Sequence, residues 1–245
     1  MWCLWLFWEL FFRCKRRRAS PAARSRGNLT TLYWLYNGQQ LYAETLPYVA
    51  PPTLAAADGL WPQYEGKGWP SCCTNETFNE NEISSLFEDL DKYWPSYRCG
   101  LVGSCDSRKG SFWAHQYEKH GTCGTPVILQ EYDYFLTTLT LFFKYNVTKA
   151  LENAEIIASD IKKYPIQDVV NAVHLAFKAN PKLACAKRGI IKEIYLCFDK
   201  QFKLRDCDAT KSCPKAVKLP EFHDPQAFNL WRITTQRLKE RSDKD

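Results

Sequence analysis

The segment 112–123 (FWAHQYEKHGTC) concentrates side chains that could perform acid–base chemistry. On a helix, residues four apart share one face, so His115 would lie beside Lys119 and Gln116 beside His120. A neutral imidazole can take a proton from a hydroxyl, while a lysine and a charged imidazole can stabilise extra negative charge on phosphorus. The spacing therefore favours a site for phosphodiester chemistry. A surface helix with solvated charges is the alternative.

The same spacing argues against a metal site. The zinc-binding histidine pair of metalloproteases stands four residues apart with an acidic residue between, whereas His115 and His120 are five apart. Structural zinc sites typically contain Cys-x-x-Cys pairs, and the eleven cysteines of this chain form none. The sequence thus predicts neither a metal nor another cofactor.

Four segments have apolar residues at helical spacing and predict the elements around this site. One apolar face ends near Trp94 and Pro95, a helix is predicted over 130–145 and another over 148–154, and a fourth stripe follows. The inward residues are Ile83, Leu86, Phe87 and Leu90, then Phe135, Leu139, Phe142 and Phe143, then Ile166, Val169, Val170, Val173 and Phe177. Ile194, Leu196 and Phe198 alternate with Tyr195 and Cys197, which predicts a strand. The predicted class is α+β, with several helices packed on a small antiparallel sheet that disulfides staple.

Cysteines and sequons indicate an oxidising, secretory environment. Eleven cysteines in 245 residues exceed ordinary cytosolic usage, so most are expected to form disulfides. Asn28, Asn75 and Asn146 each begin a glycosylation sequon. The net charge of +6 is local to the 15–26 segment, whose six basic residues, once removed, leave 27 basic and 27 acidic residues. The basic charge therefore says little about the substrate of the folded part.

The N-terminal segment departs from a normal leader. Residues 1–12 are apolar apart from Glu9, and a basic run follows, the reverse of the order in a signal peptide. The stretch is short for a transmembrane helix. A degenerate signal, a membrane-associating segment and an unnatural start of the gene product are the three interpretations, and the last is favoured. Residues 20–26 are predicted to be a disordered linker.

Segment 112–123 resembles the second signature block of the ribonuclease T2 family, and Gly59, Leu60, Trp61 and Pro62 resemble the end of the first block. The resemblance covers about residues 55–220. It implies a secreted, metal-free endoribonuclease for single-stranded RNA, in which the ribose 2′-hydroxyl attacks phosphorus and leaves a 2′,3′-cyclic phosphate. The implied location is extracellular, secretory or vacuolar. The implied partners include neither DNA nor a membrane, and the chain is expected to be a monomer.

The resemblance also implies a role for each site residue. His120 would be the second-block catalytic histidine, His115 a phosphate-binding residue and Lys119 a stabiliser of transition-state charge. Gln116 stands where many members have glutamate. Trp61 and Trp69 would contact the nucleotide, with core packing as the alternative for both.

Asp58 occupies the position at which the family has its other catalytic histidine, directly before Gly59. An aspartate with an ordinary pKa of about 3.9 is an anion at neutral pH and cannot act as an imidazole does. Cleavage is therefore predicted to be weak or absent. A non-catalytic member that binds RNA or a protein partner, or that serves as a storage protein, is the alternative. His223 is the remote candidate to replace the missing histidine.

The resemblance implies the disulfides Cys73–Cys123, Cys185–Cys213 and Cys197–Cys207. A local Cys99–Cys105 bridge is the candidate for a further pair, which leaves Cys3, Cys14 and Cys72 without assigned partners.

Three regions are predicted along the chain: a divergent, partly disordered segment over 1–50, the T2-like domain over 51–220 and a charged tail over 221–245. The first strand of the family fold is not recognisable in 29–52. Its loss, together with the losses of leader, cysteine loop and histidine, points to a rearranged coding sequence. Marginal stability is expected, because a missing strand exposes backbone groups and apolar surface.

Overall fold

The structure, a computed structural model, describes residues 1–7, 33–36, 39–42, 56–65, 68–95, 101–208 and 213–221. Its strands are β1 (Trp2–Phe7), β2 (Tyr33–Tyr36), β3 (Gln39–Tyr42), β4 (Ala56–Pro62), β5 (Val102–Gly103), β6 (Lys109–Gly110), β7 (Tyr164–Pro165), β8 (Lys182–Cys185), β9 (Ile191–Phe198), β10 (Leu204–Arg205) and β11 (Ala216–Val217). The main sheet is antiparallel and runs β10–β9–β1–β4, with β8 also paired to β9. Three short two-stranded ladders accompany it, β2–β3, β5–β6 and β7–β11.

Five α-helices of the described residues pack around this sheet, which confirms the α+β class. They are α1 (Phe87–Tyr93), α2 (Phe112–Lys119), α3 (Glu131–Lys144), α4 (Val147–Asn153) and α5 (Ile166–Phe177), and a 3₁₀ turn over Glu80–Leu86 precedes α1. The helices predicted from apolar spacing are all present within a few residues of their expected bounds. One inward assignment is wrong: Phe143 is 40% exposed. It lies one position beyond the face that Phe135, Leu139 and Phe142 bury, and its ring packs edge-on against Tyr93, with centroids 4.7 Å apart.

The core begins with a row of leucines across three strands. Leu4 of β1 stands opposite Leu60 of β4 and Leu196 of β9, and the three side chains are at most 1% exposed. Directly opposite residues of an antiparallel ladder point to the same face, so this face of the sheet is the one that packs on the helices. Burial of aromatic side chains from α3, including Tyr134 and Phe135, completes the same core.

The expectation that the sheet lacks its first strand is wrong. Trp2–Phe7 forms β1, which lies between β4 and β9 and hydrogen-bonds with both. A short run of apolar residues is suited to a strand that is buried on both faces. The two neighbouring strands provide hydrogen-bond partners for its backbone N–H and C=O groups. The predicted boundary between 1–50 and 51–220 stays untested as a whole, but residues 2–7 lie inside the domain's main sheet. The expectation of marginal stability from a missing strand loses its basis.

Four disulfides join the described cysteines. The three pairs implied by the family resemblance are present: Cys73–Cys123, Cys185–Cys213 and Cys197–Cys207. The local Cys99–Cys105 bridge is wrong, since Cys105 pairs with Cys72 at a Cα–Cα distance of 5.7 Å. Cys3 is a buried free thiol. Cys14, Cys99, Asn28, His223, the whole basic segment 15–26 and the tail 222–245 lie outside the described residues.

No helix within the described ranges is long and apolar enough to cross a membrane. Of the 1–12 segment that one interpretation assigns to membrane association, residues 2–7 form strand β1 of the main sheet.

Candidate active site

Helix α2 places the predicted catalytic side chains on one turn-and-a-half of backbone. Ser111 caps its N-terminus by accepting a hydrogen bond from the Ala114 N–H at 3.1 Å, which satisfies an otherwise unpaired amide of the first turn. The helix ends at His120, whose N–H donates to the Gln116 carbonyl at 3.1 Å. The predicted helix over this motif is therefore present, and His120 lies at its C-terminal cap.

Two disulfides from adjacent cysteines hold the C-terminal end of α2. Cys72 bonds to Cys105 and Cys73 to Cys123, so the chain before the helix is tied to both of its flanks. The Cys72 N–H also donates to the Lys119 carbonyl at 3.0 Å, and the Cys73 N–H donates to Thr122 Oγ1 at 3.2 Å. These bonds fix the backbone on which Lys119 and His120 stand.

His115 lies at the partly exposed side of the site. Its Nδ1 is 2.5 Å from the Gly103 carbonyl oxygen at the end of β5. Because a carbonyl only accepts, Nδ1 carries the proton in this contact. The His115 and His120 rings are 6.1 Å apart and nearly perpendicular, so the two imidazoles are neighbours, as the spacing predicts.

The His120 ring is covered by Trp61. The two rings stack with centroids 4.0 Å apart and planes 8° from parallel, and His120 is 1% exposed. Both of its ring nitrogens are buried without a hydrogen-bond partner among the described residues. Burial, and then the positive charges of Lys119 and His115, lower the pKa of His120 to about 3. While Trp61 covers it, the imidazole is consequently neutral above about pH 4 and is a weaker base than an exposed histidine.

Gln116 holds Trp61 in this position. The Trp61 Nε1–H donates to Gln116 Oε1 at 2.8 Å. Both side chains cross directly over Gly59, where a Cβ would stand 2.6 Å from Gln116 Oε1 and closer still to Trp61 Nε1. Only glycine therefore permits this arrangement. Trp69, in contrast, is 59% exposed, so core packing does not account for it.

Asp58 lies beside this arrangement in an irregularity of β4. Trp5 stands opposite Gly59 and Leu6 opposite Ala57, so Asp58 is the extra residue of a β-bulge. A bulge re-aims a side chain at a sheet edge and is common next to active sites. Burial is the largest cause that raises the pKa of Tyr134 and of Tyr195, and the charge of Asp58 is a further cause for both. The Asp58 carboxylate is therefore close enough to these two tyrosines to interact with them.

Removing the indole that covers His120 is expected to raise the pKa of that histidine from about 3 towards the ordinary value of about 6.5. Burial is the largest cause of the lowered pKa, and Trp61→Ala would expose the ring. The pKa can be followed by NMR through the imidazole C2–H signals. Trp69→Ala, which removes an exposed indole, is the matched control. An unchanged His120 titration in Trp61→Ala would show that some other element buries the ring.

Two carboxylates, one on α2 and one at the start of α3, accept hydrogen bonds from the chain that follows the disulfide-bonded Cys72 and Cys73. Glu131 Oε2, at the start of α3, accepts from the Asn79 N–H at 2.9 Å, and Glu118 Oε1 accepts from the Phe78 N–H at 3.2 Å. Glu118 also forms an ion pair with Arg108 at 3.7 Å. Burial, and then the charges of Glu82, Glu76 and Glu118, raise the pKa of Glu131 to about 7 against one backbone hydrogen bond that lowers it.

Glu131→Gln is expected to stabilise the protein at pH 8 by about 1–3 kcal/mol and to have little effect near pH 4. The folded pKa lies above the unfolded value, so the cost of ionising Glu131 in the fold develops between about pH 4.5 and 7 and is complete above 7. Glutamine keeps the acceptor for Asn79. Melting curves at both pH values, with the exposed Glu155→Gln as control, measure the effect. Equal shifts at both pH values would contradict it.

Comparison with known proteins shows the family to which this chain belongs. Residues 37–207 match the model of the Ribonuclease T2 family. The chain belongs to the ribonuclease T2 family. Among T2 relatives, Ribonuclease DdI of Dictyostelium discoideum is 36% identical over 166 residues, covering 66% of this chain and 70% of that protein. Ribonuclease 3 of Arabidopsis thaliana is 35% identical over 173 residues, 67% and 74% of the respective chains.

Solved T2-type structures share the fold as well. Trichomaglin, described as a novel S-like ribonuclease, superposes with a TM-score of 0.71 at 44% identity, covering 91% of this chain and 98% of its own. An RNase-related protein from Calystegia sepium gives a TM-score of 0.70 at 31% identity, covering 91% and 97%. The family resemblance read from segment 112–123 is thereby confirmed.

Some features of the site could not be assigned from the sequence. The stacking of Trp61 on His120 and the hydrogen bond to Gln116 join residues 55 positions apart or more, and no local pattern indicates them. The adjacent pair Cys72 and Cys73 was a usable signal, because two neighbouring cysteines in an oxidised chain can staple both sides of one helix end.

Proposed function

We propose that this chain binds single-stranded RNA at α2 and cleaves it slowly or not at all, because Asp58 stands where a second imidazole is required. Membership of the T2 family supports endoribonucleolysis as the parent activity. The observation that carries the proposal is the position of Asp58 at the bulge of β4, next to the glycine over which Trp61 and Gln116 meet.

Cleavage by transphosphorylation needs two proton transfers. The 2′-hydroxyl loses its proton as its oxygen attacks phosphorus, and the departing 5′-oxygen gains a proton as its bond to phosphorus breaks. The neutral His120 imidazole is suited to the first transfer once Trp61 uncovers it. Lys119 and His115 supply positive charge to the phosphate oxygens. Position 58 carries a carboxylate in place of the imidazole that would give the second proton, and an aspartate with an ordinary pKa of about 3.9 holds no proton to give near neutrality.

RNA binding with no cleavage at all is the stricter form of this proposal, and the cover over His120 favours it. A side chain that is 1% exposed does not touch substrate until Trp61 moves. The phosphate-binding groups His115 and Lys119 need no such movement, since both are partly exposed. A storage role would require none of these side chains.

The compartment proposed for the chain is the secretory route. The four disulfides of the described residues fit an oxidising environment. Asn75 and Asn146, which begin two of the sequons, are exposed and open to glycosylation. The chain is proposed to act as a monomer on RNA, and without a metal. Within the described ranges, no group of three or more His, Cys, Asp or Glu side chains is arranged to hold a metal ion.

The test is binding and cleavage measured on one labelled single-stranded RNA at pH 5 in the presence of EDTA. Saturable binding with slow or undetectable formation of cyclic ends is expected. Lys119→Ala should weaken binding by about tenfold, or about 1.4 kcal/mol, whereas the exposed control Lys163→Ala should not. If the RNA does not bind at all, the proposal fails and a storage role or a non-functional product is left.

A further inference from the structure

Three sulfur atoms meet on the face of the main sheet opposite the leucine row. Cys3 Sγ lies 3.3 Å from Cys197 Sγ, and Cys197 is disulfide-bonded to Cys207. Cys3 is a free thiol and is 8% exposed, and Cys197 is 3% exposed. A thiol is thus held in contact with one sulfur of an existing disulfide, away from solvent.

The backbone supports the same contact independently. Cys3 of β1 stands directly opposite Cys197 of β9. Directly opposite residues of an antiparallel pair have Cα atoms about 4.5–5.5 Å apart, which lies inside the range of about 4.4–6.8 Å that a disulfide spans. A bond between Cys3 and Cys197 therefore needs no rearrangement of the strands.

We propose that Cys3, Cys197 and Cys207 form an internal thiol–disulfide switch. The Cys3 thiolate attacks Cys197 Sγ, the Cys3–Cys197 bond forms as the Cys197–Cys207 bond breaks, and Cys207 leaves as a thiolate that takes up the proton Cys3 lost. Electrons balance within the chain, so no oxidant or reductant is consumed. The Cys207 sulfur lies 3.4 Å from the Tyr195 carbonyl oxygen, an acceptor for the new thiol.

The exchange changes the length of the chain segment that the disulfide closes into a loop. The original bond spans a sequence separation of 10, whereas the new one joins residues 194 apart. No disulfide of the described cysteines reaches β1 in the first state, and in the second state β1 is covalently fixed to β9. Longer closed loops restrict the unfolded chain more. Cys3 also stands opposite Trp61 on β4, so the strand that becomes fixed is the neighbour of the candidate active site.

The rate of exchange is expected to depend on pH. Burial raises the pKa of the Cys3 thiol to about 11, and only the thiolate attacks. The exchange is therefore slow at neutral pH and quickens about tenfold per pH unit up to about pH 10. The charged and titratable groups that face Cys3 from the surrounding elements are the Met1 amine, Lys182, Tyr195, Arg205 and Asp208. The cations among them favour the thiolate, and Asp208 opposes it.

Alkylation mapping of the full chain tests the switch. Protein held at pH 7, 8 or 9 without oxidant or reductant is quenched in acid, denatured, alkylated with N-ethylmaleimide and digested without reduction. We expect label on Cys3 to move to Cys207, faster at higher pH. Cys3→Ser should carry no label on Cys207, which separates this route from exchange with Cys14 or Cys99. Label that stays on Cys3 after a day at pH 9, or equal Cys207 labelling in Cys3→Ser, overturns the proposal.

A second variant tests the geometry without depending on the rate. In Cys207→Ser, Cys197 has lost its partner, and the peptide map should contain a Cys3–Cys197 disulfide in the oxidised protein. Thermal melting of this variant should rise on oxidation, because β1 becomes covalently attached. Recovery of Cys3 and Cys197 as two thiols from folded, oxidised protein would overturn the proposal.

Discussion

Asp58→Asn and Asp58→His are expected to differ in RNA cleavage, with the histidine variant faster than the native chain by about 100- to 10,000-fold. The position lies in a bulge of β4 beside Gly59, and His120, to which the family resemblance gives the other catalytic role, is retained. An imidazole there can carry the proton that the leaving oxygen needs. Asparagine removes the negative charge of Asp58 without supplying an acid, so its gain should be small.

The pH dependence of the histidine variant follows from the state of His120. His120 acts only once Trp61 uncovers it, which raises its pKa from about 3 towards the ordinary value of about 6.5. It then serves as the base, so the introduced imidazole must act as the acid. The activity of the Asp58→His variant should fall above about pH 6.5, where an ordinary imidazole loses its proton. Rates on single-stranded RNA without metal, with cyclic ends identified by mass spectrometry, provide the measurement. If asparagine restored as much activity as histidine, charge and not proton transfer would explain the slow cleavage proposed for the native chain.

Leu4→Ala is expected to destabilise the protein by about 2–5 kcal/mol. Leu4 is fully buried between Leu60 and Leu196, so truncation leaves a cavity in the centre of the sheet. Denaturant unfolding followed by circular dichroism measures the loss. Leu175 of α5 is 67% exposed, so Leu175→Ala is the matched control and should change stability by no more than about 0.5 kcal/mol. Equal small effects would mean that β1 does not carry the core.

The helices were predictable because their signals are local. Apolar residues at positions three and four apart on α3 and α5, and the alternation along β9, reflect which face is buried, and burial of one face is what these patterns record. Segment 112–123 was predictable for a second reason: a helix brings residues four apart together whatever the rest of the chain does.

The first strand was not predictable in the same way. Its six residues, WCLWLF, do not alternate, and a short continuous apolar run fits a leader, a membrane segment or a strand buried on both faces. Only pairing with β4 and β9, at least 49 and 186 residues away respectively, distinguishes these. The partner of Cys105 depends likewise on how the chain folds back across α2, which a spacing of six residues to Cys99 does not reveal.

The candidate site, too, has features that local sequence patterns predict and features that depend on distant residues. Which side chains could do chemistry followed from residue types, and their gathering on α2 followed from helical spacing. The burial of His120 did not, because it depends on an indole from β4 that is held by Gln116 and admitted by the absence of a side chain at Gly59.

The most direct test of the central claim compares the native chain with His120→Ala at RNA concentrations that saturate binding, at pH 5 in EDTA. Groups that act as a unit lose little more when a second member is removed. If Asp58 already leaves the site without its second proton transfer, the two proteins should form 2′,3′-cyclic ends at rates within about tenfold of each other. A native chain that is faster than His120→Ala by about 100-fold or more would contradict the account, since the site would then already have both of the groups it needs.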